Sequence, residues 1–182
     1  MGLVSLLKRI FKQKACSEAR ILVLGLDNAG KTTILRKLTN ESIYDVVPTQ
    51  GFNINSLLRG KFKLNVWDVG GELASRSYWR NYCDQIDGLV YVIDCEDRER
   101  LEESGEELIN FLDDVKDRKF PVLVFANKQD SELAIAEDEI TDALNLHYIR
   151  HHAWQVHGCS ALTGGGLREG MNWLMEQLQN GT

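Results

Sequence analysis

Hydrophobic residues occur along this chain in two patterns that alternate with one another. Short unbroken apolar runs predict β-strands that are covered on both faces. Between these runs, apolar side chains return every three or four positions, which predicts amphipathic helices. Strands that alternate with helices favour a mainly parallel sheet between two helical layers. The strands are predicted at 21–24, 89–93 and 121–126, and the helices at 101–115, 135–144 and 167–178.

A stricter alternation of apolar and polar residues marks a segment in the first half of the chain. The runs 52–55 and 61–66 alternate at every position, and Arg59-Gly60 between them is a turn signal. This pattern predicts a β-hairpin. With a further short strand at 154–156, the prediction is a single α/β domain. Its six-stranded sheet is mostly parallel, contains one antiparallel hairpin and carries helices on both faces.

The first sixteen residues, 1–16, form a separate amphipathic segment ahead of a main domain at 17–182. Such a helix can lie in a membrane interface or pack on the body of the protein, and one apolar face can serve the two surfaces in turn. Gly2 suits N-myristoylation, although Leu6 stands where that motif has Ser or Thr. The apolar face comprises Leu3, Val4, Leu7, Ile10 and Phe11, and the basic face includes Lys8, Arg9 and Lys12.

Charge is distributed unevenly over the 182 residues. Residues 1–14 contain four basic side chains and no acidic one. The remainder of the chain contains 17 basic and 27 acidic side chains, so its net charge is −10, compared with −6 for the whole chain. An acidic body argues against a nucleic-acid partner. Four widely separated cysteines predict free thiols in a reducing compartment. We expect a monomeric protein. We also expect it to be cytoplasmic, because no apolar run is long enough to span a bilayer.

Candidate chemistry begins directly after the first predicted strand. Residues 25–32 read Gly-Leu-Asp-Asn-Ala-Gly-Lys-Thr, the phosphate-binding pattern G-x-x-x-x-G-K-[ST], and a helix is predicted from there onward. Gly25 and Gly30 allow the main chain to turn its N–H groups toward an anion. The helix dipole and the Lys31 ammonium add positive charge, and the Thr32 hydroxyl is suited to Mg²⁺. The segment predicts a nucleoside triphosphate site.

Three more residues are predicted to meet the phosphates and the metal ion. Asp68 ends the second strand of the hairpin, where an acidic residue holds Mg²⁺ through water. Thr49 can complete the Mg²⁺ shell when its loop folds inward. Gly71 can offer its main-chain N–H to the γ-phosphate. All three join the phosphate-binding loop at one edge of the sheet, because ligands bind at the carboxyl ends of parallel strands.

The base is predicted from Asn127-Lys128-Gln129-Asp130, which follows the strand at 121–126. The Asp130 carboxylate can accept from guanine N1–H and from the exocyclic amino group, a pair that adenine does not present. A main-chain N–H at Ser160-Ala161 is placed to contact guanine O6. The predicted nucleotide-binding residues are Gly25, Asp27, Asn28, Ala29, Gly30, Lys31, Thr32, Thr33, Thr49, Gly71, Asn127, Lys128, Asp130, Ser160, Ala161 and Leu162; the metal ligands are Thr32, Thr49 and Asp68; the catalytic residues are Lys31, Gly71 and Glu72.

With these motifs in place, the sequence resembles a small GTPase of the ADP-ribosylation factor (Arf) branch over nearly its whole length. Stretches 62–68 and 170–173 are most similar to the third Arf-like subtype. The resemblance implies a molecular switch that binds GTP or GDP with Mg²⁺ and hydrolyses GTP. The stretches that carry it are 25–32, 48–53, 67–71, 78–82, 127–130 and 159–164.

The same resemblance implies partners. It places an effector and carrier surface at Phe52, Trp67 and Tyr82, whereas the alternation of residues alone favours core packing for these aromatics. It implies that a hairpin at 52–67 slides in register on GTP binding and ejects the amino-terminal helix, so that the GTP state is peripheral to a membrane. It also implies an exchange factor and an activating protein. The third subtype, when GTP-bound, releases lipidated cargo from carrier proteins at the cilium, so the cilium and the Golgi are the expected places of action.

Residue 72 departs from the family pattern. The family has Gln after Asp-Val-Gly-Gly, whereas this chain has Glu72, and a carboxylate cannot donate a hydrogen bond to the attacking water or to the phosphate. We therefore expect slow intrinsic hydrolysis. The alternative is an interaction module that holds GTP constitutively, and a P-loop kinase or ATPase is a third possibility that Asp130 disfavours. Leu73, Ala74 and Ser77 also differ from the family, which leaves the activating protein and effectors open.

A cluster of histidines has a spacing that suits a metal ligand set. His147 and His151 are four residues apart, with His152 next to them. No nearby cysteine or acidic residue completes such a set, so we predict surface histidines.

Overall fold

The computed structural model of the protein describes residues 17–181. The predicted amino-terminal helix therefore lies outside the described residues, together with Gly2, Cys16 and Thr182. The predicted α/β fold is confirmed, since six strands form one sheet with helices on both faces.

Strands and helices alternate along the described chain as the hydrophobic pattern predicts. Three short 3₁₀ segments lie at Trp79–Tyr82, Arg98–Arg100 and Leu146–Tyr148. The strands are β1 (Ser17–Leu24), β2 (Phe52–Arg59), β3 (Phe62–Val69), β4 (Gly88–Asp94), β5 (Val122–Asn127) and β6 (Trp154–Gly158). The helices are α1 (Lys31–Thr39), α2 (Leu73–Arg76), α3 (Leu101–Asp114), α4 (Glu137–Ala143) and α5 (Leu167–Asn180).

The strand order across the sheet is β2-β3-β1-β4-β5-β6. The hairpin β2–β3 is antiparallel and the other neighbouring pairs are parallel. The chain leaves β1 toward one side of the sheet for the hairpin and then crosses to the other side for β4. The carboxyl end of β1 is therefore a topological switch point, the place where open α/β sheets bind ligands.

Each face of the sheet has its own hydrophobic core. Helices α1 and α5 cover one face through residues such as Ile34, Leu35, Met171 and Leu174. Helices α3 and α4 cover the other face. Because the sheet is covered on both sides, the residues of β4 and β5 are nearly all buried, which explains their unbroken apolar sequences.

Two element boundaries differ from the sequence prediction. Strand β1 begins four residues before the predicted position, because Ser17–Arg20 pair in register with Phe62–Asn65 of β3. Ser17 and Glu18 are polar and exposed, so their sequence does not indicate a strand. Helix α4 begins later than the predicted position 135. The N–H of Ile135 donates to the carbonyl of Cys95 at 2.9 Å, and Ala136 is extended, so the helix starts after them.

The prediction of surface histidines is wrong for His152, which is only 8% exposed. Its Nδ1 lies 3.1 Å from the Phe120 carbonyl oxygen and its ring packs on the Phe120 ring. His147 is exposed and lies 2.8 Å from Asp142. Periodicity gave no sign of this burial, because His152 precedes β6 in a segment without regular structure.

Other predicted features can be placed within residues 17–181. Cys83, Cys95 and Cys159 are free and buried. In this range no helix combines the length and hydropathy that a membrane span requires. The same residues contain no group of three or more His, Cys, Asp and Glu side chains arranged to hold a metal ion.

Candidate nucleotide-binding site

A cavity of about 430 Å³ lies at the carboxyl-terminal edge of the sheet, beside β1. It collects residues from the loops that follow β1, α1, β3, β5 and β6. Four of the predicted site residues, Gly25, Ala29, Asp68 and Ser160, do not line this cavity. The predicted residues that line the cavity are Asp27, Asn28, Gly30, Lys31, Thr32, Thr33, Thr49, Gly71, Glu72, Asn127, Lys128, Asp130, Ala161 and Leu162.

The phosphate-binding loop has the backbone that its two glycines permit. Gly25 has φ +139°, and a Cβ there would lie 2.2 Å from the Val92 carbonyl oxygen. Gly30 has φ +95°, and a Cβ there would lie 2.4 Å from Asn127 Nδ2. Within the described chain, the N–H groups of Asn28 and of residues 30–33 have no acceptor, while the N–H of Ile34 closes the first turn of α1 on Gly30. Uncapped donors at a helix start fit a phosphate group.

Lys31 is held inside this loop. Its side chain is buried, and Nζ donates to the carbonyl oxygens of Gly25 at 2.9 Å and Leu26 at 2.8 Å. Burial lowers the pKa of Lys31 to about 8, although the charges of Asp68 and Asp27 oppose this shift. A polyanionic phosphate would favour the charged ammonium. Lys31 therefore lies at the cavity with its ammonium group held by two main-chain carbonyls.

Three side-chain oxygens converge where Mg²⁺ is predicted. The Thr32 hydroxyl donates to Asp68 Oδ2 at 2.6 Å and lies 2.9 Å from the Thr49 hydroxyl, which is itself 3.4 Å from Asp68 Oδ2. Asp68 Oδ1 is buried without a hydrogen-bond partner in the described chain, and burial raises the pKa of this carboxyl. Two hydroxyls and one carboxylate fit Mg²⁺, which prefers oxygen ligands and completes its shell with water and phosphate.

The predicted base-recognition residues are fixed by neighbouring groups. The Ser160 hydroxyl donates to Asp130 Oδ1 at 2.5 Å, so one carboxylate oxygen is anchored while Asp130 still lines the cavity. Lys128 Nζ lies 2.6 Å from Asp94. Asn127 is buried and bridges two loops, since its Nδ2 donates to the Ala29 carbonyl at 2.8 Å. Asn127 thus supports the site in addition to lining it.

The main-chain donors at 160–162 are arranged differently from the prediction. The Ser160 N–H donates to the Gly165 carbonyl at 2.9 Å, and the Ala161 N–H donates to Asn127 Oδ1 at 2.9 Å. Both predicted donors to guanine O6 therefore have acceptors within the protein. The N–H of Leu162 has no acceptor among the described residues, and Leu162 lines the cavity.

Gly71 packs against the phosphate-binding loop, and Gly70 packs against the loop before β2. A Cβ on Gly71 would lie 2.3 Å from the Gly25 carbonyl oxygen, and one on Gly70 would lie 2.6 Å from the Thr49 carbonyl oxygen. Only glycine fits at these two positions without displacing backbone. Glu72 follows them and is exposed at the cavity. Its carbonyl accepts from the Ser75 N–H at 2.8 Å, whereas its side chain makes no hydrogen bond or ion pair within the described chain.

Three aromatic rings form one cluster beside this site. The ring centroids of Phe52 and Trp67 are 5.2 Å apart, and those of Phe52 and Tyr82 are 5.4 Å apart. Phe52 is 44% exposed, whereas Trp67 and Tyr82 are partly buried against the core. The aromatic cluster therefore combines core packing with an exposed edge.

Sequence reasoning missed an ion-pair network behind the site. Arg76 of α2 has a side chain that is only 5% exposed and lies 3.6 Å from Asp27, 3.2 Å from Glu107 and in hydrogen-bond contact with Glu103. Arg100 lies 3.0 Å from Asp27. These residues come from four separate segments, and no spacing in the sequence links them.

The protein has the features of a P-loop guanine-nucleotide-binding protein: the fold, the phosphate-binding loop and the Asn-Lys-Gln-Asp stretch. The sequence profile of the ADP-ribosylation factor family matches residues 3–178, and the chain belongs to this family of small GTPases. Members of the family bind GTP and GDP, hydrolyse GTP and act as nucleotide-dependent switches that bind effectors and regulators.

The relatives to which this chain is similar align with almost its whole length. ADP-ribosylation factor-like protein 3 of Chlamydomonas reinhardtii is 55% identical over 179 residues, which is 98% of this chain and 100% of that protein. The Caenorhabditis elegans protein of the same name is 48% identical, over 98% of this chain and 97% of its own. Among solved structures, the Arl6 BBS3 small GTPase from Trypanosoma brucei with the bound nucleotide analogue GppNp superposes with a TM-score of 0.84 at 29% identity, over 91% of this chain and 100% of that one.

Proposed function

We propose that the protein is a GTP- and Mg²⁺-operated switch that controls the binding of effector and carrier proteins. The observation that carries this proposal is the meeting of Thr32, Thr49 and Asp68 within hydrogen-bond distance. Thr49 belongs to the loop before β2, and Gly71 follows β3. Loss of the γ-phosphate removes a common partner of both segments, so their conformation can depend on the nucleotide.

Mg²⁺ and the γ-phosphate are the ligands that order the two segments in this proposal. Thr32, Thr49 and Asp68 would hold the ion directly or through water, and it would neutralise phosphate charge. Lys31 and the uncapped N–H groups of the phosphate-binding loop would hold the phosphates. Asp130 would select guanine. Partners then distinguish the two states by their different contacts with them.

Slow intrinsic hydrolysis follows from Glu72. This carboxylate lines the cavity without a positively charged partner in the described chain. It cannot donate a hydrogen bond, and it repels the phosphate charge that grows in the transition state. The GTP state is therefore long-lived unless an activating protein supplies the missing group.

The same observation favours a second candidate function. If Glu72 prevents turnover altogether, the protein is a constitutively GTP-bound interaction module. Both candidates use one binding site and differ in whether bound GTP becomes GDP.

The aromatic cluster of Phe52, Trp67 and Tyr82 is the proposed effector and carrier surface. It joins β2, β3 and the 3₁₀ segment at Trp79–Tyr82, so its shape depends on both nucleotide-sensitive segments. Exposed Leu73 and Tyr78 extend the apolar area. Because the chain is similar to ADP-ribosylation factor-like protein 3, we propose that the switch releases lipidated cargo from a carrier protein. The proposed place of action is a cilium or the Golgi. The amino-terminal helix would make reversible contact with the membrane there.

Fluorescent nucleotide binding with Mg²⁺ tests the switch. We expect tight binding of GTP and GDP, no competition by ATP, and release when Mg²⁺ is chelated. Capture of lysate proteins with GTP-analogue-loaded and GDP-loaded protein should give different partners. Identical capture in the two states would overturn the switch. A hydrolysis assay that finds no conversion of bound GTP to GDP would favour the constitutive module, and absence of guanine preference would overturn both candidates.

A further inference from the structure

Two successive carbonyl groups beside the phosphate site are held by side chains from the next segment. Trp79 Nε1 donates to the Gly70 carbonyl at 3.0 Å. Arg76 Nε donates to the Gly71 carbonyl at 2.9 Å, and the Asp27 N–H donates to the same oxygen at 3.2 Å. Both donors are buried, so water does not compete for these carbonyls.

These contacts fix the direction of the neighbouring N–H groups. In a planar trans peptide the C=O and the N–H point in opposite directions. Holding the Gly70 carbonyl on Trp79 turns the Gly71 N–H away from Trp79, and holding the Gly71 carbonyl on Arg76 does the same for the Glu72 N–H. Neither N–H has an acceptor in the part of the chain that the structure describes, and Gly71 and Glu72 line the cavity.

The position of Arg76 is itself determined by carboxylates outside the cavity. Glu103 and Glu107 lie one helical turn apart on α3, and both contact Arg76 Nη1. Asp27 Oδ1 lies 3.6 Å from the other terminal nitrogen, Nη2. A guanidinium has a planar fork of donors, so it can bond the Gly71 carbonyl and these carboxylates at the same time. Helix α3 is thereby connected to the phosphate site through one side chain.

We propose that Arg76 and Trp79 are positioning residues that orient the Gly71 and Glu72 N–H groups for the γ-phosphate, and so set the preference for GTP over GDP. This inference rests on the proposed function. A nucleoside diphosphate lacks the group that these donors face, so its affinity depends only on the phosphate-binding loop and the base contacts.

The test is the ratio of the affinities for a non-hydrolysable GTP analogue and for GDP, measured with Mg²⁺ on the full chain. Arg76→Met keeps side-chain length and removes the donors. Trp79→Phe keeps an aromatic ring but removes the Nε1–H together with part of the buried indole. Each variant should bind the GTP analogue about tenfold more weakly, the range expected for losing a buried hydrogen bond to the main chain, and GDP within about twofold.

Arg80→Met is the matched control, because Arg80 lies in the same segment but is exposed, and its one ion pair among residues 17–181 is with Asp114 at 3.7 Å. It should leave both affinities unchanged. Glu103→Gln with Glu107→Gln offers a third variant that leaves Arg76 and Trp79 in place, and it should lower the ratio in the same direction. Parallel losses for both nucleotides, or an unchanged ratio, would overturn the inference. Wild-type protein that binds neither nucleotide would instead overturn the proposed function.

Discussion

Asp130 is the residue on which we expect the choice of base to depend. Its carboxylate is anchored by the Ser160 hydroxyl at 2.5 Å and lines the cavity. Asp130→Asn replaces an acceptor with an amide that can still accept from Ser160, but its NH₂ group now faces the guanine donors. We expect affinity for GTP to fall at least about a hundredfold and affinity for xanthosine triphosphate, which presents a carbonyl there, to rise.

Competition between fluorescent GDP and the two triphosphates measures this exchange of specificity. Asp138→Asn is a suitable control, because Asp138 is an exposed carboxylate on α4, away from the nucleotide cavity. Unaltered GTP affinity in Asp130→Asn would remove the argument against a kinase or ATPase.

Glu72 is the residue on which we expect the rate of hydrolysis to depend. Glu72→Gln restores a group that can donate to phosphate and orient water, so single-turnover hydrolysis should accelerate about tenfold or more. Glu72→Ala removes the charge without adding a donor. A rate for alanine between those of glutamate and glutamine would assign part of the effect to charge repulsion. Equal rates in wild type and Glu72→Gln would contradict the expectation of slow hydrolysis.

At this scale, the sequence predicts residues whose chemistry is local. Lys31 and Asp130 stand in short motifs with fixed spacing, and the structure brings them to one cavity. Arg76 was not predicted, because its partners Asp27, Glu103 and Glu107 come from other elements. Such partners depend on the tertiary fold and leave no pattern in the sequence.

At the scale of elements, the hydrophobic pattern predicts the strands and the hairpin well. Strands β4 and β5 were identifiable because burial on both faces requires unbroken apolar runs. The boundaries of β1 and α4 were harder to predict from the sequence. They depend on single main-chain bonds and strand pairs, such as the one between Ile135 N–H and the Cys95 carbonyl, that apolar spacing does not reveal.

The segment before β6 has an expected pH dependence through His152. Burial lowers the pKa of His152 from its ordinary value of 6.5, the Phe120 carbonyl opposes this shift and His151 adds to it. Its Nε2 has no hydrogen-bond partner among residues 17–181, so protonation would bury an unpaired charge. A lowered pKa in the folded state means that the unfolded chain binds more protons. The free energy of unfolding therefore falls as the pH drops below about 6.5.

Urea unfolding between pH 7.5 and 5 in His152→Phe measures this contribution. The phenyl ring retains the contact with Phe120 and does not titrate, so the loss of stability in acid should be smaller than in wild type. The variant should be less stable at neutral pH by about 1–3 kcal/mol, because the Phe120 carbonyl loses its donor. His147→Gln, at an exposed site, should keep the wild-type slope. A wild-type slope in His152→Phe would show that other groups carry the acid sensitivity.

At the scale of the whole molecule, we expect the amino-terminal segment 1–16 and the nucleotide site to influence each other. The link is the apolar face of the segment, which can contact either a membrane or the body of the protein. Four basic side chains within residues 1–14 can attract an anionic membrane surface, at about 1 kcal/mol each near the surface. The same apolar face can pack on the protein instead. If the bound nucleotide determines whether the segment contacts the membrane or the protein, the membrane affinity must differ between the two nucleotide states. The difference equals the change in the free energy with which the segment packs on the protein.

Co-sedimentation of the full chain with phosphatidylserine vesicles measures this difference. The protein loaded with a GTP analogue should bind at least about tenfold more tightly than the GDP-loaded protein, because a shift of about 1.4 kcal/mol between the two states is sufficient. Lys8→Glu with Arg9→Glu should abolish vesicle binding without changing the nucleotide affinity measured in the absence of vesicles, because neither residue is among the predicted nucleotide-binding residues. Equal vesicle binding in the two nucleotide states would mean that the segment associates with membranes independently of the switch, and that the nucleotide controls only the protein partners of the aromatic cluster.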